Sequence, residues 1–265
     1  MPAAAGTTVL ECRSVTKCFG ALVAVGELSL ELRQGEVLGI GGPNGAGKTT
    51  LFDLISGFVR ADAGEIYLSG EDISGLSAHA ICHRGLARTF QANAAFNSLS
   101  AFENAYVSAQ FGRSQRLWNA LAASSEAKDR AEAELDFVGL LDRRGDRADQ
   151  LPVFDRKRLM IASALVSDAK CLLMDEPVGG LTPKEIDYIL ELVKRIRSRG
   201  ISIILIEHVM RFLVTLSDRV MIMQQGRNIF LGTPAEMVSN EKVTQVYLGK
   251  RASDRMQAFL AGKAA

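Results

Sequence analysis

The chain has 265 residues, 48% of them hydrophobic and 23% charged, which suits a globular protein of one large domain or two small ones. A net charge of +1 gives no general attraction to nucleic acid or acidic lipid. The four cysteines show neither CxxC spacing nor a disulfide framework, and the longest apolar run, "ISIILI", is strand-sized, too short to span a bilayer.

The opening "MPAAAGTT" lacks a basic stretch followed by an apolar core, so no secretory leader is expected and the expected compartment is the reducing cytosol. "VLECRSVTKCFGALVAVGELSLELRQG" alternates in part and has no helical period, which predicts an antiparallel β subdomain. Within it Phe19, followed by Gly20, reads either as core or as a face on which adenine stacks. "EVLGIGG" (36–42) predicts a buried strand. It runs straight into "GPNGAGKTT" (42–50) and then the helical "LFDLISGF", which is G-x-x-x-x-G-K-[ST] in its strand–loop–helix setting. Gly42, Pro43, Asn44, Gly45, Ala46 and Gly47 form a loop whose N–H groups can wrap a phosphate at a helix N-terminus. Lys48 would reach the β- and γ-phosphates, the Thr49 hydroxyl would hold Mg²⁺, and Thr50 completes the nucleotide-binding run.

In "SAHAICH" two histidines stand at i, i+4 beside Cys82, but no third ligand and no HExxH glutamate accompany them, so this is read as a solvated helix. "LARTF" predicts a strand that leads into Gln91. From about 100 to 165 apolar strands give way to helix-prone sequence, including "SSEAKDRAEAELDFVGLLDR", which predicts an all-helical insertion in an α/β domain. It ends in the helix "LPVFDRKRLMIASAL" (151–165). "CLLMDEP" then predicts a strand ending in Asp175, suited to holding Mg²⁺, and Glu176, suited to deprotonating an attacking water. Thr182, Pro183 and Glu185 open a helix over 183–198 with a capping box, and its apolar stripe is Ile186, Ile189, Leu190 and Val193. "ISIILIEH" predicts a strand delivering His208 as a γ-phosphate contact. Four predicted strands thus end in polar groups, where open α/β sheets bind ligands.

These motifs resemble those of the ATP-binding subunits of ABC transporters, over about residues 8–250, and most nearly the larger ATPase subunit of branched-chain amino acid importers. "GPNGAGKTTLFDLISGF" is similar to that family's Walker A segment, "GLARTFQ" to its Q-loop, "LLMDEP" to Walker B, "GGLTP" to its D-loop and "LIEHVM" to its H-loop. "GTPAEMVSNEKVTQVYLG" resembles its C-terminal helix pair. The resemblance implies a P-loop ATPase core in one domain spanning 8–250, with the helical subdomain inserted at about 93–165 and a tail at 251–265. It further implies ATP and Mg²⁺ as ligands, Gln91 as the link from the Mg²⁺ site to a membrane-docking surface, and Phe19 as the adenine platform. The implied partners are two polytopic permease subunits, a second ATPase and a solute-binding protein, and the implied place is the inner face of the cell membrane. Trp118, with Leu117 and Leu121, is expected to be buried inside the helical segment rather than against a membrane partner.

One motif departs from the family. The helix start that should read Leu-Ser-Gly-Gly-Gln, and should contact the nucleotide of a partner subunit, is Leu151, Pro152, Val153, Phe154 and Asp155. A carboxylate facing a phosphate charge at about 4 Å costs about 4 kcal/mol at an effective dielectric near 20, and Arg156, Lys157 and Arg158 would offset part of it. Thr182 likewise replaces an acidic D-loop residue. The expectation is a heterodimer whose second ATPase subunit carries an intact signature, and a weak ATPase in isolation. Two other classes fit less well. A soluble ABC-type clamp on a macromolecule would join two ATPase halves or carry coiled-coil arms, and a P-loop kinase would need an arginine-rich lid.

Overall fold

The computed structural model describes residues 6–89, 95–112 and 125–264. The chain opens with two long strands, β1 (Thr8–Phe19) and β2 (Leu22–Arg33), followed by the short strand β3 (Val37–Gly41) and helix α1 (Lys48–Ile55). Strands β4 (Ala63–Leu68) and β5 (Glu71–Asp72) come next, then helix α2 (Ala78–Cys82) and strand β6 (Leu86–Thr89). Helices α3 (Ala101–Phe111), α4 (Ser125–Phe137) and α5 (Val153–Leu165) follow, with no strand between them among the described residues. The remainder alternates: β7 (Cys171–Asp175), α6 (Pro183–Ser198), β8 (Ser202–Ile206), α7 (Met210–Leu216), β9 (Arg219–Gln224), β10 (Arg227–Gly232), α8 (Pro234–Ser239) and α9 (Lys250–Ala264).

Two sheets result. The first, in order β2-β1-β4-β5, is antiparallel throughout, as the alternating N-terminal sequence predicts. The second, β10-β9-β3-β8-β7-β6, is parallel except for β10. Its central strands β3, β7 and β8 are buried at every position, because both faces are covered and each strand feeds two cores. Period-two alternation divides them cleanly. Leu172, Met174, Ile203 and Leu205 face one core with Leu159 of α5 and Ile189, Val193 and Ile196 of α6. Leu173, Ile204, Ile206, Leu38 and Ile40 face the other, with Leu51, Phe52 and Ile55 of α1 and the first sheet.

Local signals place the helices. The Thr182 N–H donates to Glu185 Oε2 at 2.7 Å and Pro183 opens α6, as the sequence predicts. Helix α5 begins one residue later than its proline suggests: Pro152 is the N-cap and Val153 the first helical residue. Ser100 and Glu103 form a full capping box on α3. The segment after 250, expected as a tail, is helical, and its buried Ser253 Oγ donates to the Val238 carbonyl at 2.6 Å. Among the described residues no helix is long and apolar enough to cross a membrane.

Candidate active site

The four strand ends singled out in the sequence are neighbours. β3, β8, β7 and β6 lie side by side and parallel, so the polar residues that follow β3, β8 and β7 gather along one edge. Gln91, two residues beyond β6, and Trp118, Leu117 and Leu121 lie outside the described residues.

After β3 the chain turns tightly at two glycines. A Cβ on Gly42 (φ +145°) would sit 2.2 Å from the Met223 carbonyl oxygen, and one on Gly47 (φ +96°) 2.1 Å from that of Ala24, so only glycine fits either position. Helix α1 then starts at Lys48, which is buried, and its Nζ donates to the carbonyls of Gly42 (2.8 Å) and Pro43 (3.0 Å). Burial holds the Lys48 pKa below its ordinary value, while Glu176 and Asp175 pull it upward. The ammonium therefore stands ready at the helix N-terminus, its present acceptors being carbonyls that an anion outcompetes. Asn44, Gly45, Ala46 and Thr50 line the same open cleft of about 510 Å³, with Phe19, Thr49, Glu176 and His208 also on its wall. Phe19 is half exposed at the end of β1, and Lys17 Nζ lies 5.5 Å from its ring centroid. An exposed ring beside this loop fits a stacking platform rather than core.

Asp175 ends β7, buried, with Arg88 Nη2 3.1 Å from its Oδ2. Arg88 Nη1 donates to Asp53 Oδ1 of α1 at 2.6 Å and to Ser56 Oγ at 3.2 Å. Burial pushes the Asp175 carboxyl above its ordinary range and Arg88 pulls it back. In the sequence Arg88 is one letter of a strand and carries no motif. The signal was there: a charge inside an apolar strand must find a partner. Asp175 and the Thr49 hydroxyl at the start of α1 are oxygen donors of the kind Mg²⁺ takes alongside substrate phosphates, so these residues fit that ion.

Glu176 follows at φ +48°, a left-handed conformation that costs a non-glycine residue about 1–3 kcal/mol. Its N–H donates to Ile206 O (3.0 Å), and its carbonyl accepts from Lys157 Nζ (2.6 Å) and the Gly179 N–H (3.3 Å). Its Oε1 lies 3.2 Å from His208 Nε2. Beside it, Glu207 is fully buried and accepts three main-chain N–H bonds: Val178 at 2.9 Å, His208 at 2.8 Å and Val209 at 3.0 Å. One carboxylate thus ties the turn after β8 to the turn after β7.

At the start of α5 one expectation is corrected. Asp155 does not face outward to meet an anion. Its side chain is buried and ion-paired with both Arg143 and Arg158. The reason is geometric, since Arg158 stands three residues further along the same helix and Arg143 closes a short 3-10 turn (Leu141–Arg143) that packs beside it. Two guanidinium groups balance the carboxylate, so the repulsion expected from sequence does not apply. The flanking cations are also engaged. Arg156 donates to Leu151 O (3.0 Å) and Asp149 O (2.7 Å), and Arg158 to Gly139 O (2.6 Å). Leu151 is buried and Phe154 meets Tyr188 edge-on, ring centroids 5.4 Å apart. What faces solvent is Pro152, with no N–H and no hydroxyl, and Val153, half exposed.

The "SAHAICH" helix is only partly solvated. His79 is exposed, but His83 is half-buried, its Nε2 3.1 Å from Phe111 O and its ring 4.1 Å from that of His79. Among the described residues no cluster of three or more His, Cys, Asp or Glu is placed to hold a metal ion.

A family profile described as ABC transporter matches residues 25–179, more than half of the chain. The chain is similar to the high-affinity branched-chain amino acid transport ATP-binding protein LivG of Salmonella typhimurium, 38% identical over 240 residues, covering 88% of this chain and 94% of LivG. It is also similar to the corresponding protein BraF of Pseudomonas aeruginosa, 34% identical, covering 91% and 98% of the two chains. Among solved structures it matches the ADP conformation of an ATP-binding cassette from an ABC transporter with a TM-score of 0.82, at 28% identity, over 92% of this chain and 99% of that one.

Proposed function

Because the chain belongs to the ABC transporter family, as one of its ATP-binding, ATP-hydrolysing subunits, we propose that it powers an importer for a small polar solute, a branched-chain amino acid or related amide. What supports the solute class is the similarity to LivG and BraF over nearly the whole length of each. The observation that carries the catalytic part is the convergence of Lys48, Thr49, Glu176, His208 and Phe19 on one cleft.

In this reading the loop Gly42–Thr50 wraps the phosphates with its N–H groups, and Lys48 leaves the Gly42 and Pro43 carbonyls for phosphate oxygens. Phe19 stacks on adenine. Thr49, Asp175 and Gln91 hold Mg²⁺, which when bound neutralises developing phosphate charge. Glu176 accepts the proton of the attacking water and His208 contacts the γ-phosphate. Arg88 keeps the Asp175 carboxylate oriented by pairing with its Oδ2.

The partners in this reading are two membrane permease subunits, a solute-binding protein and a second ATPase, with this chain at the inner face of the membrane. Permease docking is supported by Phe58 and Phe111, both about half exposed on one cleft between α1 and the helical segment. The second ATPase is expected to bear an intact signature. At the start of α5 Pro152 supplies no hydroxyl, and Val153 and Phe154 add bulk, so this chain's α5 serves the partner's nucleotide poorly. The free N–H groups of the α5 start remain, and no carboxylate opposes them, so that site is slowed rather than electrostatically blocked. The test is uptake of labelled leucine by the assembled transporter in proteoliposomes. ATP-dependent accumulation that ends with Lys48→Ala is expected. ATP hydrolysis that no amino acid or amide stimulates would remove the importer reading.

A further inference from the structure

We propose that Lys157 is a positioning residue for hydrolysis, a tether through which this chain's own α5 fixes the peptide of Glu176; the proposal rests on reading Glu176 as the base. Glu176 is held in a left-handed conformation that it would not keep unaided, so its surroundings must define it. Three main-chain contacts do so, from Ile206, Gly179 and Lys157. Only the Lys157 contact is charge-assisted, and at 2.6 Å it is the shortest of the three.

The other cations nearby are committed elsewhere. Lys48 bonds the phosphate loop's carbonyls, and Arg88 spans Asp53 and Asp175. Lys157 is half-buried, and the carboxylates of Glu207, Glu176 and Asp175 all act on its charge. A lysine here need not pair with any one of them. A compact ammonium can bond the Glu176 carbonyl while its charge offsets all three. Glu207 grips Val178, so residues 176–178 are tied both to the α5 side chain and to the end of β8.

Lys157 sits four residues into a helix whose first turn, in the reading above, meets the nucleotide of the partner subunit. A displacement of α5 then acts directly on the Glu176 peptide that serves this chain's own nucleotide. One side chain links the two composite sites in cis.

The test compares Lys157→Met, Lys157→Gln, Lys157→Arg, Glu176→Gln and the double variant Lys157→Met/Glu176→Gln, reading kcat and KM for ATP in the assembled transporter and fluorescent-ATP affinity in the purified full-length chain. Lys157→Met should lower kcat by about 10- to 100-fold, the loss that follows a misplacement of roughly 1 Å, with KM and nucleotide affinity unchanged. Lys157→Arg, which keeps donor and charge, should restore most of the rate, and Lys157→Gln should fall between. The double variant should be no slower than Glu176→Gln alone, because both changes disable one group. A native kcat in Lys157→Met, or a loss shared equally by affinity and kcat and not rescued by arginine, would overturn the tether. Should Lys157→Met fail to fold, the arginine and glutamine variants decide the matter by the same split. Native hydrolysis by Glu176→Gln would instead overturn the role of Glu176, and the tether with it.

Discussion

His208 Nε2 lies 3.2 Å from Glu176 Oε1, joining the residues that leave two neighbouring strands. The register explains the meeting. Asp175 of β7 pairs with Ile206 of β8, so Glu176 and His208 lie one and two residues past that pair, on the same edge. Both side chains are about two-fifths exposed, at 41% and 39%, which leaves them open to a substrate in the cleft.

Lys48→Ala should abolish nucleotide binding and spare the fold. Its bonds in the free protein are to two neutral loop carbonyls, whereas in the proposed reading ATP offers it phosphate oxygens that are themselves charged. Fluorescent-ATP titration should show affinity falling by about 100-fold or more, equivalent to roughly 2.7 kcal/mol. Wild-type affinity would remove Lys48 from the site.

The start of α5 gives a prediction that sequence alone gets wrong. Replacing Pro152, Phe154 and Asp155 together by Ser, Gly and Gln looks like a repair of the signature, but the third change breaks the pairs with Arg143 and Arg158. Asp155→Ala should destabilise the chain by about 3 kcal/mol in urea unfolding, at the low end for a buried pair because Arg143 is partly exposed. The double change Pro152→Ser/Phe154→Gly, leaving Asp155, should raise hydrolysis by the isolated chain. An Asp155→Ala variant as stable as wild type would contradict the pairing.

Glu207 sets a pH dependence. Burial holds its carboxyl above the ordinary glutamate range, against the opposing pull of the Val209, Val178 and His208 N–H groups. The folded chain therefore binds this proton more tightly than the unfolded one. The group's contribution is greatest below the ordinary glutamate pKa and declines as pH rises through the folded value. Glu207→Gln removes that decline. The melting temperature of wild type minus that of Glu207→Gln should accordingly be larger at about pH 4.5 than at about pH 7.5. A difference independent of pH would mean the carboxyl is not perturbed.

Much of this was legible in the sequence, and the reasons are local. The buried strands at 37–41, 171–175 and 202–206 announce themselves as unbroken apolar runs, and the glycine spacing before Lys48 reflects contacts that only glycine survives. The α6 cap is likewise written in Thr182, Pro183 and Glu185. What sequence hides is the partner of a charge. Asp155 looked like an outward carboxylate because Arg143 is twelve residues away in the chain, in a turn with no periodic signal. Arg88 meets Asp175 across eighty-seven residues, and Lys157 meets Glu176 across nineteen. Strand adjacency and helix phase create these contacts, and neither can be counted along a chain.

In the proposed reading this chain's own residues carry out ATP hydrolysis, with Glu176 as the base. The direct measurement is ATP binding and steady-state hydrolysis by Glu176→Gln in the assembled transporter. The amide keeps the shape and cannot take the water's proton, so binding should persist while hydrolysis falls by about 10²- to 10⁴-fold. Hydrolysis at the native rate with binding intact would contradict the account.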